Sequence, residues 1–250
     1  MTVERHQREH QIMARLNVDG ALTVAGLAAD LGVSEVTIRG DLRTLEEQGM
    51  LVRTRGGARP TNWKSVVQRE QINVEVKQRI AQLAASMIAD EDTVMMEAGT
   101  TAATIVRYLG GRRGVQIVTN SALAFNSARA NPALNVILTG GVFRRESESF
   151  VGPTAERAIA DFNTRIAFVG TDGFSPERGL TTRFVEGAQV ASLMSERAEE
   201  TWLVADSTKF GQAGFVSFLP LHRLTGIITD SDLPAEAVKA LQEHTRVCLV

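Results

Sequence analysis

The chain has a single cysteine, Cys248, in 250 residues. No disulfide can form within it, and a zinc cluster has no cysteine set to build on. Histidine is scarce as well. His6, His10, His222 and His244 show no metal-ligand spacing. His6 and His10 stand at i, i+4, but an isolated pair in a polar first helix reads as solvated. There is no Ser-His-Asp set, and no cofactor is implied. An excess of positive charge is also missing. Lys and Arg number 27 against 29 Asp and Glu, a net charge of −2, so the protein as a whole is no basic nucleic-acid coat. No apolar run approaches the length of a membrane span. The opening MTVERHQREHQIM is too polar for a secretory h-region. The expectation is a cytoplasmic protein with no membrane partner. Internal repeats and low-complexity tracts are absent. What is present is 44% apolar residues, enough for a sizeable core, in a length that holds a small head and one larger domain.

The most informative stretch is VSEVTIRGDLRTLEEQGMLVRTRGGA, Val33 to Ala58. Ser34 suits an N-cap, because its hydroxyl can accept from a first-turn amide. Val33 and Ile38 flank it as a hydrophobic staple. Ile38, Leu42 and Leu45 fall at i, i+4 and i+7, one buried helical stripe. Gln48-Gly49 ends the pattern, with Gly49 the expected left-handed cap. The opposite side carries Val36, Gly40, Arg43 and Glu47, flanked by Thr37 and Arg39. Alone, the helix reads equally as a solvated amphipathic helix or as a recognition helix. In the second case Arg can take guanine bidentately, and Val or Thr can meet a thymine methyl. The flanks favour recognition. Leu22 and Val24 lead into GLAADLGVS, a short helix and a turn at Gly32, with helix-turn-helix spacing. After the helix, Leu51 to Ala58 alternates apolar and basic residues before a glycine pair, as a two-stranded wing with a basic tip. Arg53, Arg55, Arg59 and Lys64 occur with no acid among them and can neutralise phosphates. Residues 1–64 hold nine Lys/Arg and eight Asp/Glu, so the inference rests on placement and not on bulk charge.

Arg59-Pro60-Thr61-Asn62 has turn chemistry. A helical pattern resumes with Ile80, Leu83, Ala84, Met87 and Ile88. The expected division is a DNA-binding domain over 1–58, a linker over 59–73 and a second domain over 74–250. In the second domain seven short apolar runs alternate with helical stretches. The runs are Thr93–Met96, Val115–Val118, Asn135–Leu138, Ile166–Val169, Trp202–Ala205, Gly226–Ile228 and Val247–Val250. The helical stretches include Thr101–Leu109, Ala122–Ala130, Thr154–Ala160, Glu186–Glu199 and Pro234–Glu243. This is an α/β pattern with a mainly parallel sheet. Ligands of such sheets sit beyond the carboxyl ends of the strands. Six runs end there in small polar residues: Glu97-Ala98-Gly99-Thr100-Thr101, Thr119-Asn120-Ser121, Thr139-Gly140-Gly141, Gly170-Thr171-Asp172-Gly173, Asp206 through Gly211, and Thr229-Asp230. Any one such turn reads first as capping chemistry. Six at one edge favour a polar, phosphate-tolerant pocket, with Lys209 supplying charge and Glu97 and Asp172 available to sugar hydroxyls. Arg144 and Arg145 either cover an anionic ligand or belong to a charged surface loop.

The head resembles the winged helix-turn-helix of the DeoR-type bacterial regulators of sugar catabolism. The resemblance rests on Val33-Ser34, Thr37-Ile38-Arg39, Asp41-Leu42, Leu45-Glu46, Gly49, Leu51, Arg53 and Gly56-Gly57-Ala58. It departs at Gly40 and Arg55, where the family pattern carries arginine and histidine. In the second domain Thr93–Thr101, Thr119–Ser121, Thr139–Gly141, Gly152-Pro153, Gly170–Gly173, Gly179–Thr182 and Asp206–Gly211 follow the family in order, with Glu97 for its commoner Asp. The resemblance implies an α/β effector domain similar in fold to ribose-5-phosphate isomerase, binding a phosphorylated sugar or related metabolite. Together with the residue reading it gives DNA-binding candidates at Ser34, Val36, Thr37, Arg39, Gly40, Arg43, Arg53, Arg55 and Gly56, with the family's side-chain contact at Gly40 lost. It implies a phosphate held by Gly99, Thr100 and Thr101, in a pocket lined by Thr119, Asn120, Ser121, Gly141, Asp172 and Lys209; the residue reading adds Glu97 and Arg144 as effector-binding candidates. The implied function is a repressor of a sugar, amino-sugar or sugar-alcohol operon. It would act as a homodimer or homotetramer on double-stranded operator DNA and be released by its effector. The alternative is a sugar-phosphate isomerase-like enzyme with an appended head. That reading needs a fixed carboxylate base, and after Asp172-Gly173 the chain runs into Phe174-Ser175-Pro176, without the second acid and glycine-rich loop of those isomerases.

Overall fold

A computed structural model describes residues 3–47, 50–60 and 66–250. The chain divides into two compact units between Gln71 and Ile72. The first unit contains α1 (Val3–Asp19), β1 (Leu22–Thr23), α2 (Val24–Leu31), α3 (Glu35–Glu47), β2 (Leu51–Thr54), β3 (Gly57–Pro60) and α4 (Val66–Glu70). Thr23 caps α2 by accepting the Gly26 amide at 3.1 Å. Gly32 ends α2 in the left-handed region at φ 65°. Ile38, Leu42 and Leu45 are buried against Ile12, Leu16, Leu27 and Leu51. Burying each such side chain contributes about 1.5–3 kcal/mol. The expected stripe is therefore the face by which α3 joins the head. The strands pair in the order β1-β3-β2. The glycine pair has two separate causes. Gly56 carries a φ of 107° in the hairpin turn. A Cβ on Gly57 would lie 1.9 Å from the Leu22 carbonyl oxygen, so only glycine lets β1 and β3 pair that closely. Strand β3 runs on through Arg59 and Pro60. The expected cap Gln48-Gly49, and Thr61, Asn62 and Lys64, lie outside the described residues.

The second unit begins with α5 (Val74–Ser86) and β4 (Thr93–Met96), followed by α6 (Thr100–Ile105), β5 (Val115–Thr119), α7 (Ala122–Ala128) and β6 (Leu134–Leu138). A hairpin follows, β7 (Val142–Arg144) and β8 (Ser149–Val151), then α8 (Pro153–Ala160) and β9 (Thr164–Val169). The remainder is β10 (Gly173–Ser175), β11 (Gly179–Thr182), α9 (Val185–Glu196), β12 (Ala198–Val204), β13 (Val216–Leu219), β14 (Gly226–Thr229), α10 (Ala235–Gln242) and β15 (Arg246–Leu249). The seven apolar runs are the seven strands of one sheet in the order β15-β14-β12-β9-β4-β5-β6. Every pair in it is parallel. Strand residues alternate between two cores. Val94, Met96 and Phe168 pack with α5, α6 and α7. Met95 and Ala167 pack with α8 and α9, and Leu203 and Ile227 with α10. Burial on both faces explains why these strands read as continuous apolar runs.

One expectation is corrected. The helix read over Glu186–Glu199 stops at Glu196, because Ala198–Leu203 pairs with Thr164–Val169. A small antiparallel sheet, β10-β11-β13, and the β7-β8 hairpin had not been expected.

The start of β9 is tied to the start of β4 by Arg165. Its Nε donates to Asp92 Oδ1 at 2.7 Å, and its Nη2 to Asp92 Oδ2 and the Met87 carbonyl. The Arg165 guanidinium, chiefly through these bonds, holds the Asp92 carboxyl below its ordinary 3.8. A lowered folded value stabilises the fold above the unfolded value. That contribution is present at neutral pH and lost as pH falls through the depressed range. Asp92→Asn is expected to cost about 2 kcal/mol at neutral pH and to flatten stability against pH in acid. Thermal melts at pH 7 and pH 3 check this, and equal differences at both would contradict it.

Candidate functional site

The outer face of α3 is built as the spacing predicts. Ser34 Oγ accepts the Thr37 amide at 3.1 Å and meets the Thr37 hydroxyl at 2.9 Å, so both hydroxyls serve first to start the helix. Val36 is 78% exposed, and Arg39, Gly40, Arg43 and Glu47 are exposed along the same side. A Cβ added at Gly40 would meet nothing within 4 Å. Arg39 pairs with Glu35 at 3.1 Å, both half-exposed. Such an exposed pair is worth little in water. Arg55 and Gly56 form the exposed tip of the wing.

One basic residue differs from expectation. No acid lies among the wing arginines in sequence, but Glu46 of α3 reaches them in space. Its carboxylate accepts the Arg53 amide at 2.9 Å and Arg53 Nε at 2.7 Å. These bonds hold the Glu46 carboxyl below its ordinary 4.5. Arg53 thus fixes the wing to the recognition helix. Asp41 was missed altogether as a functional position. It is 3% exposed and accepts Arg8 Nε at 2.5 Å and Nη2 at 3.1 Å, with Arg5 Nε at 3.5 Å. It sets the recognition helix against α1. In the sequence it shows only as an acid beside the buried stripe, within the family-like Asp41-Leu42 pair.

In the second unit the sheet winds outward in both directions from its middle. The chain passes from β4 to β5 and β6, then returns to β9 on the other side of β4 and continues to β12, β14 and β15. The switch point lies between β4 and β9, where α/β sheets open a crevice at their carboxyl edge. The six polar turns all follow carboxyl ends of strands in this sheet. Glu97 spans the switch point, its Oε2 accepting the Gly170 amide at 3.2 Å.

Gly99 leads into α6 with φ −179°, which any residue adopts, and a Cβ there would meet nothing within 4 Å. Neither backbone nor packing requires this glycine. It leaves space before Thr100 and Thr101, whose amides belong to the unpaired first turn of a helix. Gly141 is different. Its φ is 117°, and a Cβ would stand 2.7 Å from the Val151 carbonyl oxygen, so the hairpin alone requires it.

Other candidates divide in the same way. Thr119 is fully buried. Its hydroxyl donates to the Met96 carbonyl at 2.6 Å and accepts the Ser121 amide at 3.0 Å. Ser121 Oγ caps α7 at the Ala124 amide. Asn120 is 1% exposed; its Nδ2 donates to the Phe150 carbonyl at 3.2 Å, while its buried Oδ1 has no protein partner. Asp172 accepts the Arg183 amide at 3.0 Å and the Thr182 hydroxyl at 3.2 Å. Arg144 is half-buried, paired with Glu186 at 2.8 Å and lying 4.3 Å from the Phe184 ring centroid. It is therefore a packed strand residue, where the sequence left open an anion cover or a surface loop. Lys209 ends the turn after β12. That turn is built by two buried acids to which the sequence had assigned no role, Asp206 and Asp230. Asp230 accepts the Ser207 amide and hydroxyl, both at 2.7 Å. Among the described residues no cluster of metal-ligating side chains occurs, and no helix is long and apolar enough to cross a membrane.

Residues 8–62 match the model of the DeoR-like helix-turn-helix domain, and residues 72–231 that of the DeoR C terminal sensor domain. The HTH-type transcriptional regulator GlpR of Haloferax volcanii is 35% identical over 243 residues, covering 94% of this chain and 94% of that protein. The lactose phosphotransferase system repressor of Lactococcus lactis is 30% identical, covering 98% of each. Among solved structures, ribose 5-phosphate isomerase A of Methanocaldococcus jannaschii overlaps 55% of each chain at 19% identity and a TM-score of 0.41. With a winged helix-turn-helix head, a parallel α/β sensor unit and full-length relatives that are transcriptional regulators, this chain belongs to the DeoR family of DNA-binding transcriptional regulators.

Proposed function

We propose that the protein represses a sugar, amino-sugar or sugar-alcohol catabolic operon and is released from its operator by a phosphorylated metabolite bound at the carboxyl edge of the sensor sheet. The head reads DNA through Val36, Thr37, Arg39 and Arg43. Arg55 and the Gly56 turn approach the backbone, and Arg53 positions the wing. Pseudo-palindromic operators call for two heads, hence a homodimer or homotetramer. The effector favours a state whose heads fit the operator poorly, which requires different affinities for the two states.

The observation that carries the sensor reading is Gly99. It is a glycine with no conformational or packing cause, at the switch point of a parallel sheet. It stands before two threonine amides that suit a phosphate. Lys209 supplies the countercharge. Asn120 Oδ1, a buried acceptor without a protein partner, suits a hydroxyl or amino group of the sugar. Glu97, Thr119, Ser121, Gly141, Arg144 and Asp172 shape the surrounding turns.

The test is salt-dependent retardation of operator DNA, reversed by a sugar phosphate chosen from a thermal-shift screen. A ligand at 100 times its Kd stabilises by about 2.7 kcal/mol. Turnover of that sugar phosphate without DNA binding would refute the reading. Lys209→Ala is expected to keep DNA affinity and to weaken effector binding about tenfold, as for a lost charge-assisted hydrogen bond. Loss of both properties would make Lys209 structural.

A further inference from the structure

Asn73 stands immediately before α5, where the chain leads into the sensor unit. It is held at φ 52°, ψ 40°, in the left-handed region, a conformation that costs free energy in any non-glycine residue. An asparagine at a helix start ordinarily turns its oxygen back onto a first-turn amide. Here no such cap is made. Instead Asn73 Nδ2 donates across the unit to Asp206 Oδ1 at 3.2 Å. The preceding residue is held too. Lys77, only 6% exposed, donates from Nζ to the Ile72 carbonyl at 2.7 Å. The two residues before α5 are thus pinned from two sides.

The same oxygen of Asp206 also builds the Lys209 turn. Oδ1 accepts the Thr208 amide at 3.2 Å and the Thr208 hydroxyl, and the Lys209 amide donates to the Asp206 carbonyl at 3.1 Å. Three donors converge on one carboxylate oxygen, which offers about two lone pairs. Its hold on Thr208 and its hold on Asn73 therefore compete. Thr208 is exposed, so its donors are the ones an incoming anion can take.

We propose that the Asn73–Asp206 hydrogen bond couples the Lys209 turn to the segment leading to the head. This rests on the reading that an anionic effector binds at the sensor edge. An anion that draws the Thr208 donors away leaves Asp206 Oδ1 to Asn73, and residues 72–77 become more firmly held. Asn73 and Asp206 act as positioning residues: they transmit occupancy without being the phosphate's own ligands.

The experiment is amide hydrogen exchange on the full chain. Inorganic phosphate is the probe, against chloride at equal ionic strength. In the wild type, phosphate is expected to slow exchange in both 207–211 and 72–77, the latter on the order of tenfold. Asn73→Gly tolerates the left-handed backbone and removes the hydrogen bond; the backbone freedom it adds is the same with phosphate and with chloride, so the readout is the difference between the two. The variant should keep protection at 207–211 and lose it at 72–77. Asp206→Asn retains an acceptor and should keep a weakened response at both. Undiminished protection of 72–77 in Asn73→Gly overturns the coupling. So does protection of 207–211 alone in the wild type. If phosphate protects neither segment in the wild type, the sensor-edge reading fails and the coupling fails with it.

Discussion

Asp41→Ala is expected to lower the stability of the head by about 3 kcal/mol, the low end for removing one partner of a buried ion pair. The aspartate side chain is 4% exposed and that of Arg8 16%. Two bonds from Arg8 and one approach from Arg5 converge on it. The Asp41 hydrogen bond is also the largest cause of the raised pKa of Arg8. Alanine would leave a partly buried guanidinium without its acceptor. A domain of this size holds on the order of 5 kcal/mol, so the loss brings the head close to unfolding. The first thermal transition of the full chain should fall by several degrees, and DNA retardation should weaken in parallel. Asp41→Asn keeps the volume and one acceptor and should lose less. An unchanged first transition in Asp41→Ala would mean that α1 and α3 are held by apolar packing alone.

Gly40→Arg is the second large effect. The position is open, on the same face as exposed Val36 and Arg43. Glycine within a helix costs about 1 kcal/mol relative to better helix formers, so the substitution firms α3. It also adds a cation to the face proposed to meet DNA. Affinity is expected to rise about tenfold at low salt. The slope of log affinity against log salt should steepen by about one if the new arginine meets a phosphate. If it meets a base instead, preference at one operator position should change. Fluorescence anisotropy over a salt series separates these outcomes. No change in affinity, slope or preference would show that residue 40 does not face DNA.

The fold was legible where burial is two-sided or periodic. Each apolar run in the sensor unit became a strand, because the strands of a parallel sheet covered on both faces are near-continuously apolar. The stripe Ile38, Leu42 and Leu45 was legible because a helix has one inward face. Legibility failed where local preference and pairing conflict. Glu199 extends a helical pattern, but it lies between Ala198 and Glu200, which pair with Thr164 and Ile166 across the β9–β12 ladder, and the ladder prevails. The short strands β10 and β11 read as turns because each begins at glycine and carries Ser or Thr.

The site was legible as composition and illegible as partnership. The six polar turns could be located, since connectivity places every strand end at one edge. What each side chain does there could not. Thr119 and Ser121 have the same hydroxyl chemistry that a ligand would want, yet Thr119 spends it on the Met96 carbonyl of the neighbouring strand and the Ser121 amide, and Ser121 spends it on capping α7. Arg53 is basic, but its nearest acid, Glu46, arrives from the neighbouring helix.

By itself the sequence determined the winged head, the parallel sheet and the edge at which a ligand can sit. These follow from periodicity and chain connectivity, which are local. The tertiary structure alone decided which polar groups are already spent and which remain for a ligand or for coupling. Hydrogen bonds join residues by distance in space: Asp41 to Arg8, Glu97 to Gly170, Asn73 to Asp206. Those pairs are 33, 73 and 133 residues apart in the chain, and no pattern in the sequence connects them.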